Sequence, residues 1–494
     1  MEPRPSTPAA AVAVVLTEAE RQIFDFLLEV VAHYQLGTTL RAAGGWVRDK
    51  IRGNESDDID IALDNMMGSP FATLVNEYLQ QKGYETHSIG VIHSNPEQSK
   101  HLETATMRIF DVWIDLVNLR SESYAADSRI PDHTQIGTPK EDALRRDLTI
   151  NSLFYNINTA SIEDWTGTGL KDLAEGIIRT PLSPHTTFLD DPLRVLRAVR
   201  FASRLGFVLD DELVAAAMDT EIQTALSQKV SRERIGNEVE GMLNGRNPDS
   251  AFDYILQLGL FDIVWNLPPK TDFSHQSDSR EHCTAQLHRM KRLLDVASSS
   301  ISIDPARRRL LLLSSFFKLF AGHSYANKKG RATPVIEYLV IESVKWKIKD
   351  AKDIITVAEN AEKLRAFAAS LASTNSFNRQ SVGLVLRETK QLWEDALLVG
   401  LSQGLPFSPS EEEHHQQQIL ALYRLFQSKV LEEGLDQVWK LAPLWNGKEL
   451  AEALGLAPGP RIGQLIQREI EWQLAHPSAS KEECLLYLRK EVSS

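Results

Sequence analysis

With 494 residues, 43% of them hydrophobic and 24% charged, the chain has room for two to four domains with sizeable cores. A formal net charge of −13 argues against indiscriminate coating of nucleic acid and leaves room for a local basic groove. No apolar run reaches the ~20 residues of a membrane-spanning helix, and two cysteines, Cys283 and Cys484, suit neither a disulfide scaffold nor structural zinc, so a reducing compartment is expected.

The opening "MEPRPSTPAAAVAVVLTEAERQ" has acidic residues at positions 2, 18 and 20, unlike a secretory signal or an Arg-rich transit peptide, and a frayed terminus is expected. "TTLRAAGG" (38–45) predicts a strand running into a turn, "WVRDKIRG" a short helix and "DDIDIAL" (57–63) a strand of alternating acidic and apolar positions. "SPFATLVNEYLQQKG" predicts a helix with a Ser-Pro start and a Gly stop. Strands follow around "HSIGVI", "ETATMRIF" and "VWIDLVNLR", then a polar stretch from 121, then a helix over "EDALRRDLTINSLFYNI" (141–157). Beyond about 186 the pattern turns almost wholly helical, with "NLPPKTDFSHQSDSR" as the best linker. An α/β head followed by an all-α remainder, an α+β architecture, is expected.

Side chains two apart on a strand share a face, so Asp58 and Asp60 present parallel carboxylates while Ile59 and Ile61 face the core. Two such carboxylates repel unless a cation lies between them, and an all-oxygen set beside phosphates fits Mg2+. Gly44 and Gly45 allow backbone N–H groups to approach a triphosphate without a Cβ, and Arg48 in the next helix can bind a phosphate oxygen. This combination resembles the nucleotidyltransferase superfamily of polymerase β, and the resemblance implies Asp115 of "VWIDLVNLR" as a third carboxylate.

Two arginine-rich segments bear on nucleotide choice. Arg145 and Arg146 can hold a triphosphate, and Asp147 with Asn151, one helical turn apart, can hydrogen-bond a ribose hydroxyl. In "DDPLRVLRAVRFASRLGF", Arg194, Arg197 and Arg200 recur every three residues, which places Asp191 and Arg194 on one target and turns Arg200 away, toward phosphate or the head. A carboxylate beside a guanidinium accepts from the amino group and donates to the ring nitrogen of cytosine or adenine. Uracil and guanine reverse that order and leave buried groups unpaired, so the Asp191/Arg194 pair reads C or A.

The ordered motifs together resemble the class II CCA-adding enzymes, the tRNA nucleotidyltransferases, of fungal type. Gly44 to Asp49, Asp58 to Asp60, Arg145 to Asn151, "DWTGTGLKDL" with Gly167 and Gly169 as hinges, Asp190-Asp191-x-x-Arg194, and "SRERIGNEVEGML" carry the likeness over roughly 38–245. Asp190 stands where the family has Glu. The resemblance implies a polymerase β-like head (38–182) after an N-terminal extension and first helix (1–37), then a neck (183–268), a body (269–400) and a tail (401–494). It implies Arg197 and Arg200 as nucleotide contacts, and Arg232, Glu233, Arg234 and Glu238 as braces of the base-reading pair. Implied substrates are CTP, ATP and tRNA held by its acceptor and T arms, with Mg2+ on Asp58 and Asp60, no membrane and no obligate protein partner. The expected location is cytoplasmic and nuclear, with a mitochondrial pool left open.

A basic stretch at 307–349, with ten Lys or Arg against Glu337 and Glu342, and the Gly-Pro-Arg turn at 459–461 are the expected tRNA contacts. The competing functions are a bacterial-type poly(A) polymerase and a non-catalytic tRNA-binding protein. A metal-dependent phosphohydrolase lacks the necessary His-Asp pair among His275, His282 and His288.

Overall fold

The computed structural model describes residues 14–56, 58–92, 104–124, 131–269, 277–298, 301–405 and 412–493. The expectations for residues 1–13, Asp57 and His275 fall outside these. The chain separates into two compact units, 1–264 and 265–494.

The first unit opens with α1 (Glu18–His33), β1 (Leu40–Ala43), α2 (Gly45–Ile51), β2 (Ile59–Leu63), α3 (Gly68–Gln81) and β3 (Gly90–Ile92). It continues through β4 (Thr104–Ile109), β5 (Val112–Asn118), the hairpin β6 (Arg120–Tyr124) and β7 (Pro131–Ile136), α4 (Pro139–Leu144), β8 (Phe154–Asn156) and β9 (Ser161–Glu163). Seven strands form one mixed sheet in the order β3-β4-β5-β2-β1-β8-β9, with β2 and β5 parallel. In β4 and β5 the apolar members Ala105, Met107, Ile109, Ile114 and Leu116 are fully buried, and a Cβ on Gly68 of α3 would lie 2.5 Å from the Leu116 carbonyl oxygen. Helix α3 therefore covers that face, while Thr106, Asp115 and Asp60 point to the other. The turn into α2 is held from below by α1. Buried Glu20 accepts from Trp46 Nε1 at 2.8 Å and pairs with Lys50 at 2.8 Å, and Trp46 packs edge-on to Phe24 at 5.6 Å.

Helices dominate thereafter: α5 (Gly169–Glu175), α6 (Pro184–Asp190), α7 (Arg194–Leu205), α8 (Asp211–Ala217), α9 (Thr220–Lys229), α10 (Arg232–Leu243), α11 (Pro248–Gln257) and α12 (Phe261–Val264), with a two-residue parallel pair β10 (Ile177–Ile178) and β11 (Val208–Leu209). The second unit holds α13 (Ser277–Ala297), α14 (Pro305–Phe316), a hairpin β12 (Ser324–Ala326) and β13 (Ala332–Pro334), α15 (Val335–Tyr338), α16 (Ile348–Thr374), α17 (Arg379–Thr389), α18 (Trp393–Ser402), α19 (Glu412–Glu432), α20 (Gly447–Leu454), α21 (Pro460–Ala475) and α22 (Lys481–Ser493). A Cβ on Gly400 of α18 would lie 2.2 Å from the Ala361 carbonyl oxygen, so glycine permits the close approach of α18 to α16.

Three local expectations are corrected. The helix predicted over 141–157 ends at Leu144, and Phe154–Asn156 pairs antiparallel with β1 instead. A short apolar run with two aromatics suits either state, and the open edge of β1 decides it. The polar stretch after 121 contains the β6–β7 hairpin. Asp191 does not share a helix with Arg194: α6 stops at Asp190, Asp191 is extended (φ −144, ψ 100), and α7 begins at Arg194. Pro192 explains this break, because the residue before proline is pushed out of the helical region.

Candidate active site

The site is built on β2. Asp60 lies opposite Asp115 in the parallel β2–β5 ladder, and Asp58 immediately precedes the strand. Carboxylate oxygens of all three lie within 4.8 Å of one another. Thr106 Oγ1 on β4 donates to Asp115 Oδ1 at 2.5 Å and orients it. Burial, then the neighbouring Asp58 and Asp115 charges, push the Asp60 carboxyl up to about 6, against the opposing pull of Arg146 and Arg120. Three converging hard oxygen donors, one resisting ionisation, are what a site shaped for a divalent cation presents.

Beside these carboxylates opens a cavity of about 670 Å3. Gly44, at φ +68, caps α2, a backbone conformation that favours glycine, and a Cβ there would lie 2.8 Å from Arg146 Nη1 and displace that guanidinium. Arg145 and Arg146 also line the cavity. Behind them stands buried Asp142, which takes Arg145 Nη2 at 2.5 Å on one oxygen and Arg146 Nη2 at 2.8 Å on the other. Burial alone would raise the Asp142 carboxyl, but the Arg146 and Arg145 guanidiniums prevail and bring it down to about 2. Arg48 is turned inward: it donates through Nε and Nη2 to Asp49 and through Nη1 to Asn151 Oδ1 at 2.5 Å, and its guanidinium lies 5.1 Å from the Phe201 ring centre. Asp147 accepts from Asn151 Nδ2 at 3.2 Å and from Arg197 Nε at 2.7 Å. The Asp147/Asn151 pair, expected at a ribose hydroxyl, lies in the cavity wall and also fixes Arg48 and Arg197. Burial opposes ionisation of Asp147, yet Arg197 and Asn151 hold its carboxyl below the usual range.

The far wall comes from the helices after the sheet. Asp191 and Arg194 both line the same cavity as Asp58 and Asp60. The Asp191 carboxylate takes both guanidinium nitrogens of Arg234 on α10, at 3.2 and 2.6 Å, a two-pronged bond that fixes its plane. Arg194, 8% exposed, donates through Nη2 to the Arg145 carbonyl at 2.5 Å and through Nη1 to the Thr187 carbonyl at 3.3 Å. Arg200 is not among the residues that line the cavity: it donates to Glu238 on α10 at 2.6 Å and lies over Phe201 at 4.4 Å. Arg232 donates to the Ile263 carbonyl at 2.6 Å, and Glu233 is exposed. Gly167 sits in a turn closed by Asp164, and a Cβ on Gly169 would lie 2.7 Å from the Thr149 carbonyl oxygen.

Residues 40–179 match the family described as the poly A polymerase head domain. Over 96% of its length the chain is 35% identical to the mitochondrial CCA tRNA nucleotidyltransferase of Saccharomyces cerevisiae, covering 93% of that protein. The chain belongs to the CCA tRNA nucleotidyltransferase family. A tRNA nucleotidyltransferase of Schizosaccharomyces pombe is 32% identical over 96% of this chain and 98% of its own. In fold, this nucleotidyltransferase resembles a CCA-adding enzyme solved with CTP (TM-score 0.63, 19% identity, 97% of each chain covered). The polymerase-type head with its mixed sheet, followed by a helix-rich remainder, agrees with the expected fold class.

Several wall residues of this nucleotidyltransferase escaped the motif argument. Arg120, Asn118, Phe201 and Arg204 line the cavity, and Asp142 holds two of its arginines from behind. Asp142 was accessible in principle, since it precedes Arg145 and Arg146 at helical spacings of three and four. Its depressed carboxyl makes a stability prediction. The folded value of about 2 lies below the unfolded ~3.8, so the contribution is complete above pH ~4 and is lost as pH falls toward 2. Asp142→Asn should cost about 2 kcal/mol in urea unfolding at pH 7. The gap from wild type should close between pH 4 and 2; a gap independent of pH would refute the assignment.

In the second unit, the basic stretch at 307–349 is partly neutralised. Arg307 pairs with Asp395 at 2.7 Å, Arg309 with Asp350 at 3.3 Å and Lys345 with Glu342 at 2.7 Å, while Lys328, Lys329 and Arg331 lie exposed on the β12–β13 hairpin. Arg461 donates to the Val492 carbonyl at 3.1 Å.

Proposed function

We propose that this chain adds C, C and A to the 3′ end of tRNA, taking CTP and ATP as substrates and releasing pyrophosphate. The observation that carries this reading is that one cavity joins the Asp58/Asp60 carboxylates, the Arg145/Arg146 pair and the Asp191/Arg194 couple. Asp58 and Asp60, with Asp115 as the third carboxylate, would hold Mg2+, which when bound lowers the barrier by acidifying the attacking hydroxyl and neutralising the leaving oxygen.

The chain's own residues account for the remainder. Gly44 and Gly45 bring backbone close to the triphosphate, and Arg145 and Arg146, stiffened by Asp142, stabilise charge on its β and γ phosphates. The tRNA 3′-hydroxyl releases its proton to solvent as its oxygen forms a bond to the α-phosphorus, the bond from that phosphorus to the β-bridging oxygen breaks, and pyrophosphate carries away the electron pair. Asp191, its plane set by Arg234, accepts from the amino group of cytosine or adenine, and Arg194 donates to the adjacent ring nitrogen. Arg197, Asp147, Asn151 and Arg48 lock the two walls together, and Arg200 with Glu238 braces α7 against α10.

We assign the head to 38–182, the neck to 183–268, the body to 269–400 and the tail to 401–494, with the last two receiving the acceptor and T arms through shape and phosphates. A mitochondrial pool joins the cytoplasmic and nuclear ones in this proposal, in line with the mitochondrial label of the S. cerevisiae relative. The test is extension of a tRNA ending at its discriminator base. CTP and ATP together should yield three added nucleotides and then stop, with UTP and GTP inert; an open-ended A tail would establish a poly(A) polymerase instead.

A further inference from the structure

Resting on the function proposed above, we infer that Trp113, seconded by Arg108, is the platform on which the 3′-terminal nucleotide of the RNA primer stacks. The sheet register carries the argument. Gly90, Thr106, Asp115 and Asp60 form one row across β3, β4, β5 and β2. One step along that same face, Trp113 of β5 pairs with Arg108 of β4, and Asp58, whose carboxylate lies within 4.8 Å of those of Asp60 and Asp115, immediately precedes β2. Side chains two apart share a face, so the Trp113 indole projects on the carboxylate side, about 7 Å along the strand from Asp115. It is 55% exposed, whereas Trp46 and Trp265 are 1% exposed and Trp393 is 4% exposed. An indole left in water beside three converging carboxylates calls for an occupant.

The sheet order identifies that occupant. The triphosphate turn, Gly44–Gly45, follows β1, on one side of β2, and Arg145, Arg146, Asp191 and Arg194 line the cavity there. Trp113 and Arg108 lie on the other side, on β5 and β4, and neither belongs to that cavity. In-line displacement at the α-phosphorus requires the attacking oxygen to approach opposite the leaving pyrophosphate. The primer end must therefore cross the carboxylates from the β5 side, over Trp113. A base offers a π-face to an indole whatever its identity, which suits a terminus that changes from the discriminator base to C and then C. Arg108 supplies a cation for the primer phosphate: its guanidinium is partly exposed and is held through Nη2 at 2.9 Å by the exposed Asp111, a surface pair that a phosphate can displace. Gly90 leaves the far end of the row without a side chain, keeping the floor flat.

Steady-state CMP addition to a tRNA ending at the discriminator base tests this. Trp113→Ala should raise the KM for tRNA about 5- to 150-fold, the equivalent of one lost base stack. The KM for CTP and the melting temperature should stay as in wild type, because the residue is exposed and outside the nucleotide cavity. Trp113→Phe should restore most of the tRNA affinity, and Trp113→Leu, apolar but without a π-face, should not. Arg108→Ala should flatten the salt dependence of tRNA binding by about 0.7 in log–log slope. A tRNA KM within twofold of wild type in Trp113→Ala, or equal rescue by Leu and Phe, overturns the platform while leaving the function standing. Failure of the wild-type chain to extend tRNA at all would overturn both.

Discussion

Asp58→Ala is expected to reduce CMP and AMP incorporation at least about 10³-fold while tRNA retention in a gel shift stays within a few-fold of wild type. In the proposed mechanism the carboxylate trio would hold the divalent cation whose positive charge offsets a developing pentavalent phosphate and its leaving pyrophosphate, an effect of several kcal/mol at ~1.4 kcal/mol per factor of ten. Asp58 is the exposed member, whereas Asp60 is enclosed and Asp115 is tied to Thr106, so Asp58 can be replaced with little disturbance of the sheet. Its removal also relieves repulsion on Asp60, whose carboxyl is pushed upward in part by Asp58. Stability should therefore hold or rise, and loss of activity cannot be ascribed to unfolding. Single-turnover incorporation above a tenth of the wild-type rate would remove Asp58 from the chemistry. Full tRNA binding with a wild-type level of inactivity would instead point to a non-catalytic RNA-binding protein.

The second large effect concerns base choice. With Asp191→Ala, kcat/KM for CTP should fall about 10- to 100-fold, the worth of one charge-assisted hydrogen bond. The preference for CTP over UTP, ~10⁴ where a buried site rejects a mispaired base, should shrink by a similar factor. Asp191 is a cleaner probe than Arg194. The Arg194 guanidinium also holds the Arg145 and Thr187 carbonyls, so its loss loosens the triphosphate wall together with the base reader. Arg234→Ala separates holding from reading: Asp191 keeps its charge but loses the two bonds that set its plane. CTP use should drop about tenfold with the order of preference among the four nucleotides retained. An Asp191→Ala enzyme whose CTP to UTP ratio stays within threefold of wild type would locate base selection elsewhere.

How much of this was legible before the fold was known varies from residue to residue. The Gly44–Gly45 turn, the strand bearing Asp60 with Asp58 just before it, and the nearness of Asp191 to Arg194 were all open to reading, because each depends on neighbours close in sequence. The break at Pro192 was equally local and was passed over, as the three-residue arginine rhythm suggested one unbroken helix. Phe154–Asn156 could not be assigned locally, since its strand state depends on pairing with β1 more than a hundred residues earlier. Trp113 gave no signal either: one aromatic in an alternating strand is ordinary until the register sets it opposite Arg108, on the face that carries Asp115.

The amino-acid order alone therefore determined which chemical groups the protein owns and the rhythm in which they are offered: acids two apart, a pair of glycines, an acid three residues before a guanidinium. Only the tertiary structure decided how those groups are held. Arg48 is claimed by Asn151, 103 positions away, Arg197 by Asp147, 50 away, and Asp191 by Arg234, 43 away. The physical reason is that a charged side chain, once withdrawn from water, must find a counter-charge or a hydrogen-bond acceptor wherever the folded backbone brings one, and that meeting is set by sheet order and helix packing.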